Sequence, residues 1–540
     1  MKKLTKKNLI LLGSNILNLV VLSVLTGIFA GITVTFYNLL MSVAEKTATG
    51  YYSLLISHPA FIPLLFLGLA IGSVLIGTVV RFVPMIRGSG IPQIEGAARG
   101  VVPFKWYVTL CAMFASSLAC AFLGYGAGAE GPSIEIGGCM GSASSSLLKR
   151  NSMVRRMQIA GGASAGLAVA FNAPITGLFF SLEETFRSFS PQVFISASIS
   201  VITALLTGNA IKPLVGMSTG CSLDGFVFNF AFDGEGMIFC LWAALASVTV
   251  AFMGVGFYRL MFYFKKLFKK ITFLKGAGKY CIPFLFAGVF GLISIYSIGG
   301  GHSFIADLST SGTGDFTNVE RVFGLGLLAS LLIIVVMRFF SGAMTMACGV
   351  PCGVFIPMLA MGAGMGAMLS VIFQKCGMSG MYSDYLVIIC MAAFFTSIVK
   401  APITGLVMIY ELTGQFVNFV PAMLGIAIGL IVGRLSKTHA IYEKSLKSYV
   451  AEEKLYDRLK KVSLNLKIMA DSLADGLTIR TIVWPTNGLV TQVLSADGKS
   501  SYAPNGKSVL SAGETITFEC ETDDEAELYK YLISIVGKQN

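Results

Sequence analysis

Two acidic residues of this sequence lie in apolar stretches, where a charged side chain is costly. Glu130 stands among glycines in GAGAEGPSIEIGG, residues 126–138, and Glu184 ends the segment FNAPITGLFFSLEE, residues 171–184. Ionisable residues inside a membrane are rare and typically mark ion pathways or proton relays. We therefore interpret both as candidate functional residues. The alternatives are that Glu130 caps its own helix and that Glu184 is a structural carboxylate paired with Arg187.

Three short segments with glycine and proline interrupt the apolar sequence: GSGIP at 88–92, GAEGP at 128–132 and GVFIP at 353–357. Proline is tolerated in the first turn of a helix and glycine lets a backbone approach a ligand closely, so each segment predicts a helix N-terminus. N–H groups exposed at membrane depth require a protein-lined cavity, and their partial positive charge suits an anion. The segments thus predict an anion pathway; helix kinks or packing notches are the alternative.

The composition indicates a polytopic membrane protein. Of 540 residues, 55% are hydrophobic and 13% are charged, whereas soluble domains contain roughly 25% charged residues. Charge-free runs long enough to cross a bilayer recur, at 8–44, 60–80, 237–258, 280–301 and 412–433. Lysines near the N-terminus and in 265–279 predict that these parts are cytoplasmic. The net charge of +12 is therefore interpreted as a topology signal, and no nucleic-acid partner is predicted.

Metal and enzyme chemistry are disfavoured by the residues available. The eleven cysteines are scattered without paired spacing, and His58, His302 and His439 do not have metal-ligand spacing. An intramembrane enzyme that used Glu130 and Glu184 would need a nucleophile, a metal or a histidine near them, and we expect none. The sequence thus predicts a protein that is not an enzyme and that holds no metal or cofactor.

An internal repeat divides the membrane part. The word APITGL occurs at 173–178 and again at 401–406, and each copy leads to a glutamate ten residues after its first alanine, Glu183 and Glu411. Glu184 aligns with Leu412, so this acid is not shared by the repeats. We predict a first repeat at about 15–210, a second at about 235–435 and a final helix at about 437–460, as in transporters built from two homologous halves.

The C-terminal part has a different composition. A charged, helical stretch after residue 450 precedes three predicted strands at 477–484, 489–497 and 514–521, and a closing helix follows at 524–537. Residues 463–540 are therefore predicted to form a small cytoplasmic α+β domain. A unit of this size is marginally stable alone, so dimerisation or docking is expected.

Several segments of this sequence together resemble the CLC family of chloride channels and proton/chloride exchangers. GSGIPQIEG, GAEGPSIEIGG, FNAPITGLFFSLEE and GVFIPMLAMGAG occur in the family's order, and the resemblance covers roughly 10–455. It implies an all-α polytopic membrane protein with two inverted repeats of tilted and broken helices. It also implies a homodimer in the inner membrane of a bacterial cell, with both termini cytoplasmic.

The resemblance assigns roles to individual residues. Glu130 corresponds to the external gating glutamate and Glu184 to the internal proton-transfer glutamate. Serine at position 89 suggests chloride as the anion. The family usually has Lys or Arg where this chain has Ala129. The residues implied in anion binding are Ser89, Gly90, Ile91, Glu130, Gly131, Val354, Phe355 and Tyr442.

The predicted function is proton-coupled chloride antiport, with chloride and protons as substrates; a passive, voltage-independent chloride channel is the alternative. The tail resembles the C-terminal subdomain of TrkA-type potassium-transport regulators. That resemblance implies a small regulatory ligand such as cyclic di-AMP, with Ile479, Arg480 and Asn487 as candidate contacts. A dimer-stabilising module that binds nothing is the alternative.

Overall fold

The computed structural model describes residues 6–126, 128–150, 152–185, 191–217, 226, 234–271, 276–413, 419–455, 460–470, 472–482, 484, 488–498, 500–522 and 525–539. Helices make up its membrane part. They are α1 (Lys6–Ser57), α2 (Ile62–Phe82), α3 (Ile91–Ala98), α4 (Trp106–Phe122), α5 (Glu130–Leu147), α6 (Ser152–Phe171), α7 (Pro174–Phe180), α8 (Pro191–Ile211), α9 (Gly234–Lys270), α10 (Cys281–Ile293), α11 (His302–Asp307), α12 (Leu327–Cys348), α13 (Phe355–Lys375), α14 (Ser383–Val399), α15 (Pro402–Thr413), α16 (Phe419–Leu435) and α17 (Ile441–Glu452).

The helices differ widely in length and burial. Within the described ranges, eight are long and apolar enough to cross a membrane, and shorter apolar helices accompany them. All of α14 is buried, and so are residues 130–145 of α5 and residues 355–367 of α13. The long, lipid-accessible helices α1, α2 and α9 expose many large apolar side chains, which only a lipid environment makes favourable. The centre of the membrane part is therefore built from α5, α13 and α14.

The repeated word APITGL forms the start of α7 and of α15, and these two helices contact each other. The Glu183 carboxylate, just after α7, accepts hydrogen bonds from the N–H groups of Ile403 and Thr404 at 3.0 and 2.8 Å. It also accepts one from the Thr404 hydroxyl at 2.8 Å. A glutamate of the first repeat thus satisfies the free N–H groups at the start of α15.

Glu411 of the second repeat makes the same set of contacts in return. Its carboxylate accepts hydrogen bonds from Ile175 N, Thr176 N and Thr176 Oγ1 at 2.8, 2.7 and 2.7 Å. The end of each helix therefore lies at the start of the other, and α7 and α15 run antiparallel. Equivalent residues that contact each other reciprocally are the mark of a two-fold relation. An antiparallel pair of homologous helices means that the two repeats have opposite orientations.

The C-terminal domain is an antiparallel four-stranded sheet of β1 (Lys460–Lys467), β2 (Gly488–Leu494), β3 (Ser501–Tyr502) and β4 (Thr515–Thr522), in the order β1-β4-β2-β3. The closing helix α18 (Glu525–Val536) buries Leu532 and Ile535 in a core with Leu466 and Phe518. Sheet and helix share one small apolar core. Each strand points every second side chain into this core, so apolar and polar residues alternate along the strands.

Two predicted elements of this region need correction. The final helix ends at Glu452 rather than near 460, and KKVSLNLK forms β1 instead, because its apolar residues alternate along the chain and pair with β4. The predicted strand at 477–484 is also wrong: Ile479–Thr481 form a 3-10 turn. The backbone there bonds to a facing loop, with Ile479 N donating to Ser508 O at 3.0 Å.

Candidate anion and proton pathway

The segments GAEGP and GVFIP meet directly at the centre of the membrane part. Gly128 N donates to Gly353 O and Gly353 N donates to Gly128 O, both at 2.7 Å. Glu130 begins α5 and Phe355 begins α13, so this bridge holds the starts of two helices from different repeats side by side. A Cβ at Gly353 would lie 2.6 Å from Gly128 O; only glycine permits this approach.

The segment GSGIP joins the same place. A Cβ at Gly131 would lie 2.6 Å from Ser89 O, so Ser89 packs against the first turn of α5. Gly90 has φ +74° and precedes α3, whose first residue is Ile91. A side chain at Gly90 would be strained and would also strike Glu135, whose Oε2 would lie 2.0 Å from the new Cβ. Three helix N-termini therefore converge on one region, as the sequence predicts.

Two hydroxyl groups at this region are buried without a partner in the protein. Within the described residues, Ser89 Oγ and Tyr442 Oη accept and donate no hydrogen bond, although their residues are 3% and 0% exposed. Buried polar groups are nearly always hydrogen-bonded, so such orphans need a ligand or water. Val354 and Phe355 are buried at the start of α13, where the first N–H groups have no partner inside the helix. This donor set fits an anion.

Glu130 faces the same region but does not cap its own helix through a hydrogen bond. Its side chain is 3% exposed, its Oε1 lies 3.3 Å from His302 Nε2, and its Oε2 has no hydrogen-bond partner among the described residues. Because Oε2 is unattached, the side chain is held at one oxygen only.

Glu184 lies in a single π-helical turn, Ser181–Thr185, and is buried. Such turns are uncommon and occur frequently at functional sites. The charges of Glu184 and Glu130 both act on the Tyr442 hydroxyl, so both acids lie in the neighbourhood of this one buried donor. Arg187, the partner in the structural alternative, lies outside the described residues.

Comparison with known proteins identifies the family. A family profile described as "Voltage gated chloride channel" matches residues 71–434. The H(+)/Cl(-) exchange transporter ClcA of Vibrio cholerae serotype O1 is 30% identical over 451 residues, which cover 80% of this chain and 90% of that relative. This chain belongs to the CLC family.

Solved CLC structures confirm the fold. A slow cyanobacterial Cl-/H+ antiporter superposes with a TM-score of 0.70 at 22% identity, over 81% of this chain and 99% of the other. A CLC-type fluoride/proton antiporter superposes with a TM-score of 0.61 at 20% identity, over 79% and 96%. The predicted fold class, a CLC membrane domain followed by a small α+β domain, is therefore correct.

Four ionisable residues near the candidate site were not identified from the sequence. His302 contacts Glu130, so the expectation that no histidine lies near this acid is wrong. Glu45 and Arg338 hold the loop before His302, and the buried Glu135 carboxylate lies against Gly90. His302 is 172 residues from Glu130 in the chain. The only local signal is the glycine run in GGGHSF, which resembles the other helix starts of this CLC protein.

Ser89 also lines a basic cavity of about 120 Å³. Such a positive field concentrates anions at an entrance. One carboxylate, Glu452 at the end of α17, lies 3.3 Å from Arg87, 3.2 Å from Lys265 and 2.9 Å from Lys269. Burial opposes its ionisation, but Lys265 and Lys269 outweigh this and lower the pKa of Glu452. The basic residues that line the cavity are Arg87, Lys265, Lys269 and Lys279.

The candidate ligand contacts of the tail lie on a turn rather than on strands. Ile479 and the exposed Arg480 belong to the 3-10 turn, which Trp484 closes by donating from Nε1 to Ile479 O at 2.8 Å. Asn487 lies outside the described residues. The turn leaves the Arg480 guanidinium accessible to a ligand.

Proposed function

We propose that this CLC protein is a proton-coupled chloride antiporter. The observation that supports this most is the presence of two buried acids, Glu130 and Glu184, that act on one buried and unpartnered hydroxyl, Tyr442 Oη. Coupled transport needs titratable groups that reach the anion site from both sides, whereas a passive pore needs none. The relatives are named as exchange transporters, which agrees with this proposal.

In this mechanism one position serves both chloride and a carboxylate. Chloride is held by Ser89 Oγ, Tyr442 Oη and the N–H groups at Val354 and Phe355, with the backbone at Gly90, Ile91 and Gly131 closing around it. No full positive charge is needed, so the anion is bound but can leave. Ionised Glu130 competes for this position, and protonation makes its carboxyl leave.

Glu184 supplies the second proton step. A proton that reaches Glu184 passes toward Glu130 while chloride leaves the site in the opposite direction. Because a proton on Glu130 opens the site, chloride and proton movements depend on each other. A passive, voltage-independent channel is the competing function.

The test is a reversal-potential measurement on purified protein in liposomes, with opposed chloride and proton gradients. Antiport predicts a reversal potential that depends on both gradients and proton movement driven uphill by chloride. A reversal potential that stays at the chloride equilibrium value whatever the pH gradient would establish the channel instead.

Localisation and assembly follow from the same proposal. We expect a multi-pass protein of a bacterial plasma membrane, with the lysine-rich N-terminus and the tail cytoplasmic. Two copies are expected to form a homodimer in which each has its own pathway. Crosslinking in the membrane, followed by mass determination in detergent, tests the assembly; a protein that remains single at all crosslinker concentrations contradicts it.

Regulation by the tail is proposed to act through Glu452. This residue binds the cations of the basic cavity and precedes β1 by only seven intervening residues, 453–459. A ligand such as cyclic di-AMP that binds two TrkA-type tails in one arrangement would shift Glu452 and change the field at the cavity. Such a ligand acts only by binding one state more tightly.

Calorimetry on the full chain with cyclic di-AMP tests the ligand, and transport with and without it tests the coupling. Arg480→Ala is expected to weaken binding, whereas Glu452→Gln is expected to leave binding intact and remove its effect on transport. No heat at high micromolar ligand would favour the alternative, a dimer-stabilising tail that binds nothing.

A further inference from the structure

His302 lies beside Glu130 and is far more exposed than this acid. Its Nε2 lies 3.3 Å from Glu130 Oε1, and its side chain is 44% exposed whereas that of Glu130 is 3% exposed. The imidazole therefore lies between the buried carboxylate and the exposed surface of the chain. Histidine is the side chain whose ordinary pKa places its proton exchange near neutral pH.

The position of His302 is set by the loop before it. Gly300 N donates to Glu45 Oε1 at 3.2 Å, and Arg338 Nη1 donates to Gly300 O at 3.2 Å. Both backbone polar groups of Gly300 are thus bound, one to a carboxylate of α1 and the other to a guanidinium of α12. Gly301 then turns with φ +105°, and His302 begins α11. A residue fixed in this way from two helices is placed beside Glu130 by the fold.

The loop also lies against the central bridge. A Cβ at Gly300 would lie 3.1 Å from Gly128 Cα, so the loop that carries His302 packs on the segment that carries Glu130. The charged and titratable groups around the imidazole are Glu130 from α5, Glu45 from α1 and Arg338 from α12. Two carboxylates and one guanidinium leave this cluster one positive charge short of neutrality, and an imidazolium supplies that charge.

We propose that His302 is a proton relay for Glu130 and also the cation that faces it. Imidazolium donates from Nε2 to the Glu130 carboxylate, which leaves neutral imidazole and a protonated Glu130; the exposed ring then takes a new proton from solvent. In the opposite direction the same groups return the proton. The neighbouring Ala129 carries no charge, so in this chain the cation next to the gate comes from α11 in the second repeat.

This inference rests on the proposed function, because a relay requires that Glu130 exchanges protons. The two can nevertheless fail separately. Wild-type reversal potential reports whether chloride and proton movements are coupled at all, whereas the relay changes the rate and its pH dependence but leaves coupling intact.

The test compares wild type with His302→Gln in liposomes at symmetric pH values from about 4.5 to 8, by chloride and proton flux. Glutamine keeps a hydrogen-bond donor but cannot carry a proton. We expect both fluxes to fall on the order of tenfold to a hundredfold at neutral pH. They should recover at low pH, where solvent protonates Glu130 directly, with the reversal potential unchanged throughout. His58→Gln, an exposed histidine at the end of α1, is the matched control and should keep the wild-type profile.

A second variant separates a relay from a structural role. In His302→Ala, added imidazole should restore flux at neutral pH in proportion to its concentration, because the small base can enter the vacated position. A wild-type rate and pH profile in His302→Gln would overturn the proposal. An equal loss at every pH in both variants, without rescue by imidazole, would overturn it as well and leave His302 a packing residue.

Discussion

Two helices start next to the Gly128–Gly353 bridge. The one in the first repeat, α5, begins with Glu130, whereas the matching helix of the second repeat, α13, begins with Phe355. The two positions correspond because each lies two residues before a proline, Pro132 or Pro357. The same contrast recurs after APITGL, where Glu184 in the first repeat corresponds to Leu412 in the second. At both places the first repeat has an acid and the second an apolar residue.

The glutamates that the repeats do share have another task. Glu183 and Glu411 each satisfy the start of the other repeat's helix through three hydrogen bonds of 2.7–3.0 Å. The shared acids hold the two halves together, whereas Glu130 and Glu184 have no acidic counterpart in the second repeat. In the proposed mechanism, proton transfer therefore belongs to the first repeat, while the anion site takes backbone groups from both repeats.

The largest effect is expected when Glu130, the acid that begins α5, is removed. In Glu130→Ala the carboxylate that competes with chloride is gone, so chloride should flow passively and proton movement should fall to background. Chloride flux should also lose its dependence on pH. Flux assays across pH check this; coupled proton transport that persists in the variant would contradict it.

The next test replaces Glu184, the other unshared acid, by leucine, which is the residue at the corresponding position of the second repeat. Glu184→Leu should reduce proton flux on the order of a hundredfold or more, because the acid proposed to deliver protons to Glu130 is then absent. Chloride flux should remain, which separates this variant from a misfolded one. Leu412→Met, at the corresponding position, is the control and should stay coupled. Proton transport at the wild-type rate in Glu184→Leu would show that another group carries the proton.

The sequence predicts the helix starts of the site but not all of the contacts made there. Pro132 and Pro357 identify helix starts because proline restricts its neighbours locally, and the structure begins α5 and α13 where expected. The contact of His302 with Glu130 joins residues 172 positions apart, and no local pattern encodes it. In the tail, strand β1 was not predicted for a related reason. Its charged residues are also compatible with an exposed helix face, and the distant pairing with β4 makes this segment a strand.

A smaller effect is expected when the shared glutamates are changed. Glu183→Ala and Glu411→Ala each remove a charged acceptor from three donors, so each should lower the free energy of unfolding by about 2 kcal/mol. Because the contacts are reciprocal, the two losses should be similar. Thermal unfolding in detergent measures them, and Glu183→Gln, which keeps an acceptor, should lose less. A large loss in only one of the two alanine variants would contradict the two-fold arrangement.

The smallest effect concerns a donor that lies outside both repeats. Tyr442 follows them on α17, and its buried hydroxyl has no partner among the described residues. In Tyr442→Phe the site keeps Ser89 Oγ and the backbone N–H groups, so the loss of one hydrogen bond, about 1 kcal/mol, should weaken chloride binding roughly fivefold. Coupling should persist because both acids of the first repeat remain. Chloride titration by calorimetry, with Ser89→Ala for comparison, checks this; an unchanged affinity would mean that the Tyr442 hydroxyl does not contact the anion.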